Sequence, residues 1–374
     1  MNKKKTHILL VNYAFSMFRG GGENFDLNIS KELKKKNIDC SILCVKPILG
    51  EIRIKGPNNL DIIYVNGFWF YDFSVYLKTL DTRLSKLSYF IRLIGQISFE
   101  ISAIISIWKR KDRYSLIVTS YMPLVTLVSS NLLRIKSIIR CSGPFRSPYE
   151  KLLFRFLKII ICNGDTYRKL IKIYPEKIKY VEIGVDHSFT SLNTIKHEKE
   201  YIDIAIVGRL VPVKGIGELI DVLKLVSMKT PIKIHIFGDG VLMHQLKQQV
   251  NKLKINRFTT FYGYCDKKQL IEQLKRMDCL IMNSVYDNFP NSIIEANALG
   301  LPVWSPNVGG VDLLIRNHQN GLIVDKSLNR KEKAKSIVEL IRLIKSGSFN
   351  SSLISSQCKK YFNWENTMKK LLAL

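Results

Sequence analysis

Short apolar runs alternate with amphipathic stretches along the whole chain. Between the runs, apolar residues recur at the spacing of one helix face, as at Ile216, Leu219, Ile220 and Leu223. The runs in the first half are 6–12, 39–45, 61–65, 115–119, 137–141, 159–162 and 179–182. Those in the second half begin at Ile202, Ile232, Phe258, Cys279, Pro302 and Leu322. This alternation predicts an α/β fold of doubly wound parallel sheets.

The length of 374 residues exceeds that of one typical core and favours two domains. The predicted division follows residues 184–186 and lies in the polar stretch 193–200. We assign residues 1–190 and 201–355 to two Rossmann-like domains that face a central cleft. Residues 356–374 are expected to form a C-terminal helix that packs back towards the first domain. Ligands of such sheets bind beyond the carboxyl ends of the strands, so we look for the site there.

The segment 208–215 has the composition of an anion site. It joins a predicted strand to a helical stretch, so Lys214 and Gly215 fall where backbone N–H groups point out of a helix N-terminus. Arg209 adds a planar guanidinium that can bind two phosphate oxygens, and Lys214 adds a mobile ammonium. Two fixed cations can stabilise a departing diphosphate without a metal. The alternative is an ordinary solvated loop, in which this pattern is also common.

A second segment, 287–295, carries two carboxylates. Asp287 lies in a turn after a buried run, Ser292 stands near a helix start, and Glu295 falls about one turn into that helix. A carboxylate at this place can accept hydrogen bonds from vicinal hydroxyls. The alternative is that Glu295 only complements the dipole of its own helix.

Further motifs accompany these two segments. In chain order they are Gly20-Gly21-Gly22-Glu23, Phe237-Gly238-Asp239-Gly240, Phe261-Tyr262-Gly263-Tyr264, the run from Ala298 to Val303, Val308-Gly309-Gly310 and Phe362-Asn363-Trp364. With this set the chain resembles the retaining GT-B glycosyltransferases of family 4 over almost its whole length. The resemblance is strongest from 202 to 325.

The resemblance implies a role for each matching residue. Arg209 and Lys214 are expected to hold the diphosphate of a nucleotide diphosphate sugar. Asp287 is expected to face the donor sugar, and Glu295 to bind the ribose hydroxyls. The other residues implied in donor binding are Gly21, Gly22, Gly208, Gly263, Tyr264, Asn291 and Ser292. The implied reaction is sugar transfer to an acceptor hydroxyl with retention, with the acceptor on the first domain and no metal or other cofactor.

Two positions depart from the family pattern. The first acid of the pair is Asp287, where relatives usually carry the longer Glu. Many relatives also place a His after a strand of the first domain, but the matching stretch 138–146 contains none. Ser142-Gly143-Pro144 within that stretch is either an ordinary turn or part of an acceptor site.

The formal charge of +27, from 58 Lys and Arg against 31 acids, predicts attraction to an anionic partner. Basic residues flank an apolar and aromatic region that runs from 68–71 through 89–91 to 107–111, which suits a helix on an anionic membrane surface. Arg92, Gln96 and Glu100 interrupt the run, so we do not expect it to span a membrane. The alternative is that 87–108 is an internal helix. Nucleic acid is disfavoured, because no known nucleic-acid motif accompanies the charge.

Seven cysteines without a Cys-x-x-Cys pair are typical of a reducing compartment, and the six His show no metal-ligand spacing. We therefore expect a cytoplasmic protein, peripheral on the inner face of the plasma membrane. The expected role is sugar transfer to a lipid-linked or polysaccharide acceptor in bacterial capsule, O-antigen or exopolysaccharide synthesis. The alternatives are a non-catalytic membrane-associated partner of another glycosyltransferase, and an epimerase or a phosphorylase on the same architecture.

Overall fold

The computed structural model describes residues 6–15, 21–46, 60–66, 85–143, 148–190 and 200–374. These residues divide into two compact units, Met1–Ile183 with Trp364–Leu374 and Gly184–Asn363. Four features of the sequence lie outside the described residues, namely Gly20, the aromatic segment 68–71, Pro144 and most of the polar stretch 193–200.

The first unit is built on a parallel sheet. Its strands are β1 (His7–Val11), β2 (Asp39–Val45), β3 (Asp61–Val65), β4 (Leu116–Ser120), β5 (Lys136–Cys141), β6 (Ile160–Cys162) and β7 (Ile178–Tyr180). They lie in the order β3-β2-β1-β4-β5-β6-β7, and all neighbours are parallel. Its helices are α1 (Gly21–Lys35), α2 (Ser85–Trp108), α3 (Pro123–Asn131), α4 (Pro148–Phe154) and α5 (Gly164–Ile171).

The second unit repeats this plan. Its strands are β8 (Ile202–Val207), β9 (Ile232–Phe237), β10 (Thr259–Gly263), β11 (Cys279–Ile281), β12 (Val303–Pro306) and β13 (Gly321–Val324). They lie in the order β10-β9-β8-β11-β12-β13 and are also parallel. Its helices are α6 (Ile216–Ser227), α7 (Met243–Lys252), α8 (Lys267–Leu274), α9 (Asn291–Ala298), α10 (Arg330–Lys345) and α11 (Ser351–Tyr361).

Every apolar run that the sequence predicts to be a strand overlaps one of these strands, so the prediction of doubly wound parallel sheets is confirmed. The reason lies in the burial of both sheet faces. On one face of the second sheet, isoleucines of β8 and β9 pack against the apolar sides of α6 and α10. Strands buried on both faces have near-continuous apolar runs, which is the pattern that the sequence shows.

The last helix, α12 (Trp364–Ala373), belongs to the first unit. Its Trp364 ring stands edge-on to Phe25 of α1, with 5.6 Å between the ring centroids. Lys370 forms an ion pair of 2.6 Å with Glu182, which follows β7. The chain therefore leaves the first unit after Ile183 and returns to it at Trp364.

Each sheet has one point at which strand order reverses. In the second sheet this point lies between β8 and β11, and in the first it lies between β1 and β4. Loops that leave neighbouring strands there in opposite directions open a crevice at the carboxyl ends, where ligands of such sheets bind. The segments after β8 and β11 are 208–215 and 282–290, so the fold places both predicted site segments at this crevice.

Candidate functional site

Direct hydrogen bonds join the loops after β8 and β11. The Val285 amide donates to the Val213 carbonyl at 2.8 Å. The Asn283 side-chain amide donates to the Gly215 carbonyl at 3.1 Å. The predicted segment 208–215 is therefore held by main-chain and amide contacts against the loop that leads into the second predicted segment, 287–295.

Lys214 and Asp287 form an ion pair across these loops. The Lys214 ammonium lies 2.5 Å from the Asp287 carboxylate, and the side chains are 21% and 18% exposed. The resemblance assigns Lys214 to the diphosphate and Asp287 to the sugar. The structure brings the two groups together, so an incoming phosphate would meet a cation already oriented by a carboxylate.

Two glycines allow this close approach. Gly215 has a φ of 61°, and a Cβ atom there would lie 2.1 Å from the Asn283 carbonyl oxygen. Gly309 has a φ of 57°, and its Cβ would lie 1.8 Å from the Asp287 carbonyl oxygen. Any side chain at either position would displace the loop that carries Lys214 or Asp287.

Arg209 and Tyr264 present free surface at the same edge. Arg209 directly follows Gly208 at the end of β8 and is exposed. Tyr264 is 64% exposed and follows Gly263, whose carbonyl accepts from the Gly238 amide at 2.8 Å. Gly263 and Tyr264, which the resemblance implies in donor binding, thus stand at the carboxyl end of β10, two strands away from the β8 loop.

The start of α9 carries polar groups with spare hydrogen-bonding capacity. Asn291 and Ser292 are its first residues and are half-buried. Within the described part of the chain, the Asn291 Oδ1 and the Ser284 hydroxyl are buried and have no hydrogen-bond partner. Buried polar groups normally find a partner, so these two atoms suit a polar ligand.

Glu295 lies one turn into α9 beside a second ion pair. Burial raises the pKa of its carboxyl to about 7, the Lys267 ammonium opposes this, and the Asp186 carboxylate adds to it. Lys267 itself lies 2.8 Å from Asp186. Burial raises the pKa of Asp186, but the Lys267 charge and hydrogen bonds from Ser188 hold it well below its usual range. A polar ligand at Glu295 would therefore meet a carboxyl near its titration point.

No motif of the sequence connects Asp186 and Lys267 with this site. Asp186 lies near the expected domain division, and Lys267 begins an ordinary capped helix. Their relation to Glu295 depends on tertiary packing across roughly a hundred residues, and no local pattern signals it. Among the described residues, no group of three or more His, Cys, Asp or Glu side chains could hold a metal ion.

Gly21 and Gly22 lie in the first unit, at the start of α1. The Arg140 guanidinium, at the end of β5, donates to the Gly22 carbonyl at 3.1 Å and to the Ser120 hydroxyl at 2.7 Å. Burial raises the pKa of the neighbouring Asp26 to about 6, against the opposing charge of Arg140. The stretch 138–146, where many relatives carry a His, thus contributes the buried Arg140, which contacts the glycine pair through the Gly22 carbonyl.

Residues 190–348 match the family model of glycosyl transferases group 1. The glycogen synthase of Mycobacterium tuberculosis is 31% identical over 168 residues, which are 44% of this chain and 41% of the synthase. The Escherichia coli UDP-Gal:alpha-D-GlcNAc-diphosphoundecaprenol alpha-1,3-galactosyltransferase is 24% identical over 307 residues, 73% of this chain and 77% of that protein. The chain spans 41% of the length of the first curated relatives it matches.

Among solved structures, Anabaena Alr3699/HepE in complex with UDP and glucose superposes with a TM-score of 0.75. Its sequence is 17% identical, and the alignment covers 98% of both chains. At that identity the likeness establishes the fold, with the two parallel-sheet units described above.

Proposed function

We propose that this protein transfers a sugar from a nucleotide diphosphate sugar to an acceptor hydroxyl, because residues 190–348 match the family model of glycosyl transferases group 1 and the two parallel-sheet units have the GT-B fold. The observation that carries the proposal is the joining of segments 208–215 and 282–290 at the strand-order reversal of the second sheet. That crevice brings two cations, an acidic loop and a helix N-terminus to one place.

In this mechanism the leaving group is the nucleotide diphosphate. As the bond from the anomeric carbon to the phosphate oxygen breaks, negative charge grows on the diphosphate. Arg209 and Lys214 stabilise that charge, with help from the backbone N–H groups at the start of α9. Because these groups already supply positive charge, the proposal includes no metal or other cofactor.

The carboxylates orient the donor. Asp287 faces the sugar, and its pairing with Lys214 keeps both groups in place before the donor arrives. Glu295 accepts hydrogen bonds from the ribose hydroxyls. The acceptor hydroxyl attacks the anomeric carbon and gives its proton to the departing nucleotide diphosphate. The configuration is retained, the stereochemistry typical of the family that the motifs resemble.

The donor site is tested by a thermal-shift panel of UDP, GDP, ADP, CMP and their sugar conjugates in EDTA. A ligand that binds only the folded state raises the melting temperature, by about 5–10 °C at saturating excess. We expect one nucleotide diphosphate to do so, and Arg209→Ala to abolish the shift. The control is Arg257→Ala, which removes an exposed arginine of the same unit outside the site.

If no nucleotide shifts the melting temperature of the unmutated protein, the donor site is refuted and the non-catalytic alternative gains weight. Glycan synthesis that persists in cells carrying Arg209→Ala or Glu295→Ala would refute the catalytic role separately. The two results are distinct, because one concerns binding and the other concerns turnover.

We further propose a lipid-linked or polysaccharide acceptor in the synthesis of a bacterial surface polysaccharide such as capsule, O-antigen or exopolysaccharide. The name of the E. coli relative specifies a GlcNAc-diphosphoundecaprenol acceptor, which is a membrane lipid. The charge of +27 agrees with an enzyme that works at an anionic surface. The cytoplasmic face of the plasma membrane is the place where nucleotide sugars and such lipids meet.

Helix α2 supplies the surface for this attachment. Its Phe99, Ala103 and Ile107 are fully buried in the core of the first unit. Its other side exposes an apolar stripe, which we call the α2 stripe: Phe90, Ile94, Ile101, Ile105 and Trp108. Lys109, Arg110 and Lys111 follow the helix and are exposed. An apolar face next to a basic cluster suits the boundary between headgroups and acyl chains.

Within the described ranges, no helix has the length and apolarity needed to cross a bilayer. Vesicle sedimentation tests attachment by the α2 stripe. Binding should require anionic lipid, weaken with salt, and fall several-fold in Ile105→Glu, because a carboxylate neither enters the acyl region nor tolerates an anionic surface. Val241→Glu is the control, since Val241 is 71% exposed but lies in the second unit. Equal binding to neutral vesicles at high salt would contradict the proposal.

A further inference from the structure

Lys333 is a buried cation behind the loops of the donor site. It lies near the start of α10, and its side chain is only 7% exposed. A positive charge near a helix N-terminus meets the unfavourable end of the helix dipole. A buried ammonium also loses hydration that only close partners can replace. Its position therefore requires compensating contacts.

Two side chains provide these contacts. The Lys333 ammonium lies 2.8 Å from a Glu218 carboxylate oxygen and donates to the Asn283 side-chain oxygen at 3.2 Å. Burial raises the pKa of Glu218, but the hydrogen bonds from Lys333 and Asn283 hold it below its usual range. The three side chains come from α6, α10 and the end of β11, so they tie together three elements beneath the crevice.

Asn283 transmits this anchoring to the diphosphate loop. Its amide nitrogen donates to the Gly215 carbonyl and to Glu218, each at 3.1 Å. With its oxygen held by Lys333 and its nitrogen by Gly215 and Glu218, the amide can adopt only one orientation. Gly215 immediately follows Lys214, so the orientation of Asn283 sets the backbone from which the Lys214 ammonium projects.

We propose that Lys333 is a positioning residue, which acts through Asn283 and Gly215 to fix the geometry of the diphosphate-binding loop. The inference rests on the proposed nucleotide site. Lys333 makes no contact with the donor in this proposal. Removal of its ammonium should therefore weaken binding of the phosphates and leave binding of the nucleoside unchanged.

The test compares the dissociation constants of UDP and uridine by titration calorimetry. The pairs GDP with guanosine and ADP with adenosine replace them if the thermal-shift panel selects another base. Lys333→Met keeps the aliphatic length and removes the ammonium. We expect it to weaken UDP binding about tenfold or more, with uridine unchanged. The control Lys335→Met, which changes an exposed lysine of the same helix, should leave both constants as they are.

A double-mutant cycle tests the route through Asn283. Asn283→Ala should weaken UDP binding by a similar factor, and the double variant should lose little more, because residues that act through one another are not additive. Should Lys333→Met fail to fold, Glu218→Gln is measured in the same way. Its side chain is 39% exposed, and it should weaken UDP binding about threefold with uridine unchanged.

The outcomes separate the inference from the proposed function. Wild-type affinity for UDP in folded Lys333→Met, or an equal loss for UDP and uridine, would overturn the positioning role alone. No binding of any nucleotide diphosphate by the unmutated protein would overturn the donor site, and the inference with it. A selective loss of UDP affinity supports both.

Discussion

At the scale of single residues, the ionisation of Glu295 links the stability of the fold to pH. Its carboxyl has a pKa of about 7, against an ordinary value of 4.5. The folded protein therefore holds this proton more tightly than the unfolded chain does. Between these two values the folded state binds more protons, so the free energy of unfolding falls as the pH rises.

We expect Glu295→Gln to remove this pH dependence, because an amide resembles the protonated carboxyl and does not ionise. The variant should match the unmutated protein near the ordinary pKa of 4.5 and be about 3 kcal/mol more stable above about pH 8. Urea unfolding across this range measures the difference. A stability difference between Glu295→Gln and the unmutated protein that does not change with pH would refute the assignment.

The residues around the donor crevice differ in how far the sequence could predict them. Arg209, Lys214, Asp287 and Glu295 follow strand ends or helix starts, and the parallel-sheet pattern alone puts such positions at one edge. Lys333 lies in a lysine-rich amphipathic stretch that resembles a solvated surface. Its burial depends on how α10 rotates against α6, and helical periodicity does not determine that rotation.

At the scale of elements, α2 shows why a pattern can leave two interpretations open. The sequence allowed an internal helix or a surface helix, and the structure has both properties in one element. Phe99 and Ile107 face the core while Ile101 and Ile105 face outward. Helical periodicity identifies the side of a helix that is apolar. When a helix is apolar around most of its circumference, periodicity does not show which part of that surface the rest of the protein buries.

The loops show the opposite case, in which local sequence and tertiary structure agree. Gly215 and Gly309 belong to motifs that the sequence alone shows. In the structure, each lies with positive φ against a carbonyl oxygen of the partner loop. A positive φ and a missing Cβ are properties of glycine itself. A glycine in a motif therefore indicates from sequence alone that the backbone there has a positive φ or a close neighbour. The neighbouring atom itself, here a carbonyl oxygen, can be identified only from the fold.

At the scale of the whole molecule, the chain path makes the first unit discontinuous. Trp364 and Leu371 of α12 are buried, and Trp364 contacts Phe25 of α1. The second unit ends at Asn363. A defect in α12 therefore affects the first unit, although this helix is separated in sequence from the rest of that unit.

Trp364→Ala is expected to lower the stability of the first unit by about 3–5 kcal/mol, because it removes a large, fully buried side chain. Hydrogen exchange followed by mass spectrometry measures each unit separately. Exchange should accelerate in β1 and β2 and stay unchanged in β8 and β9, and the nucleotide thermal shift should survive. Phe349→Ala, which alters the core of the second unit, should give the reverse pattern. Equal acceleration in the strands of both units by either variant would contradict this division, because it would mean that the chain unfolds as one cooperative block.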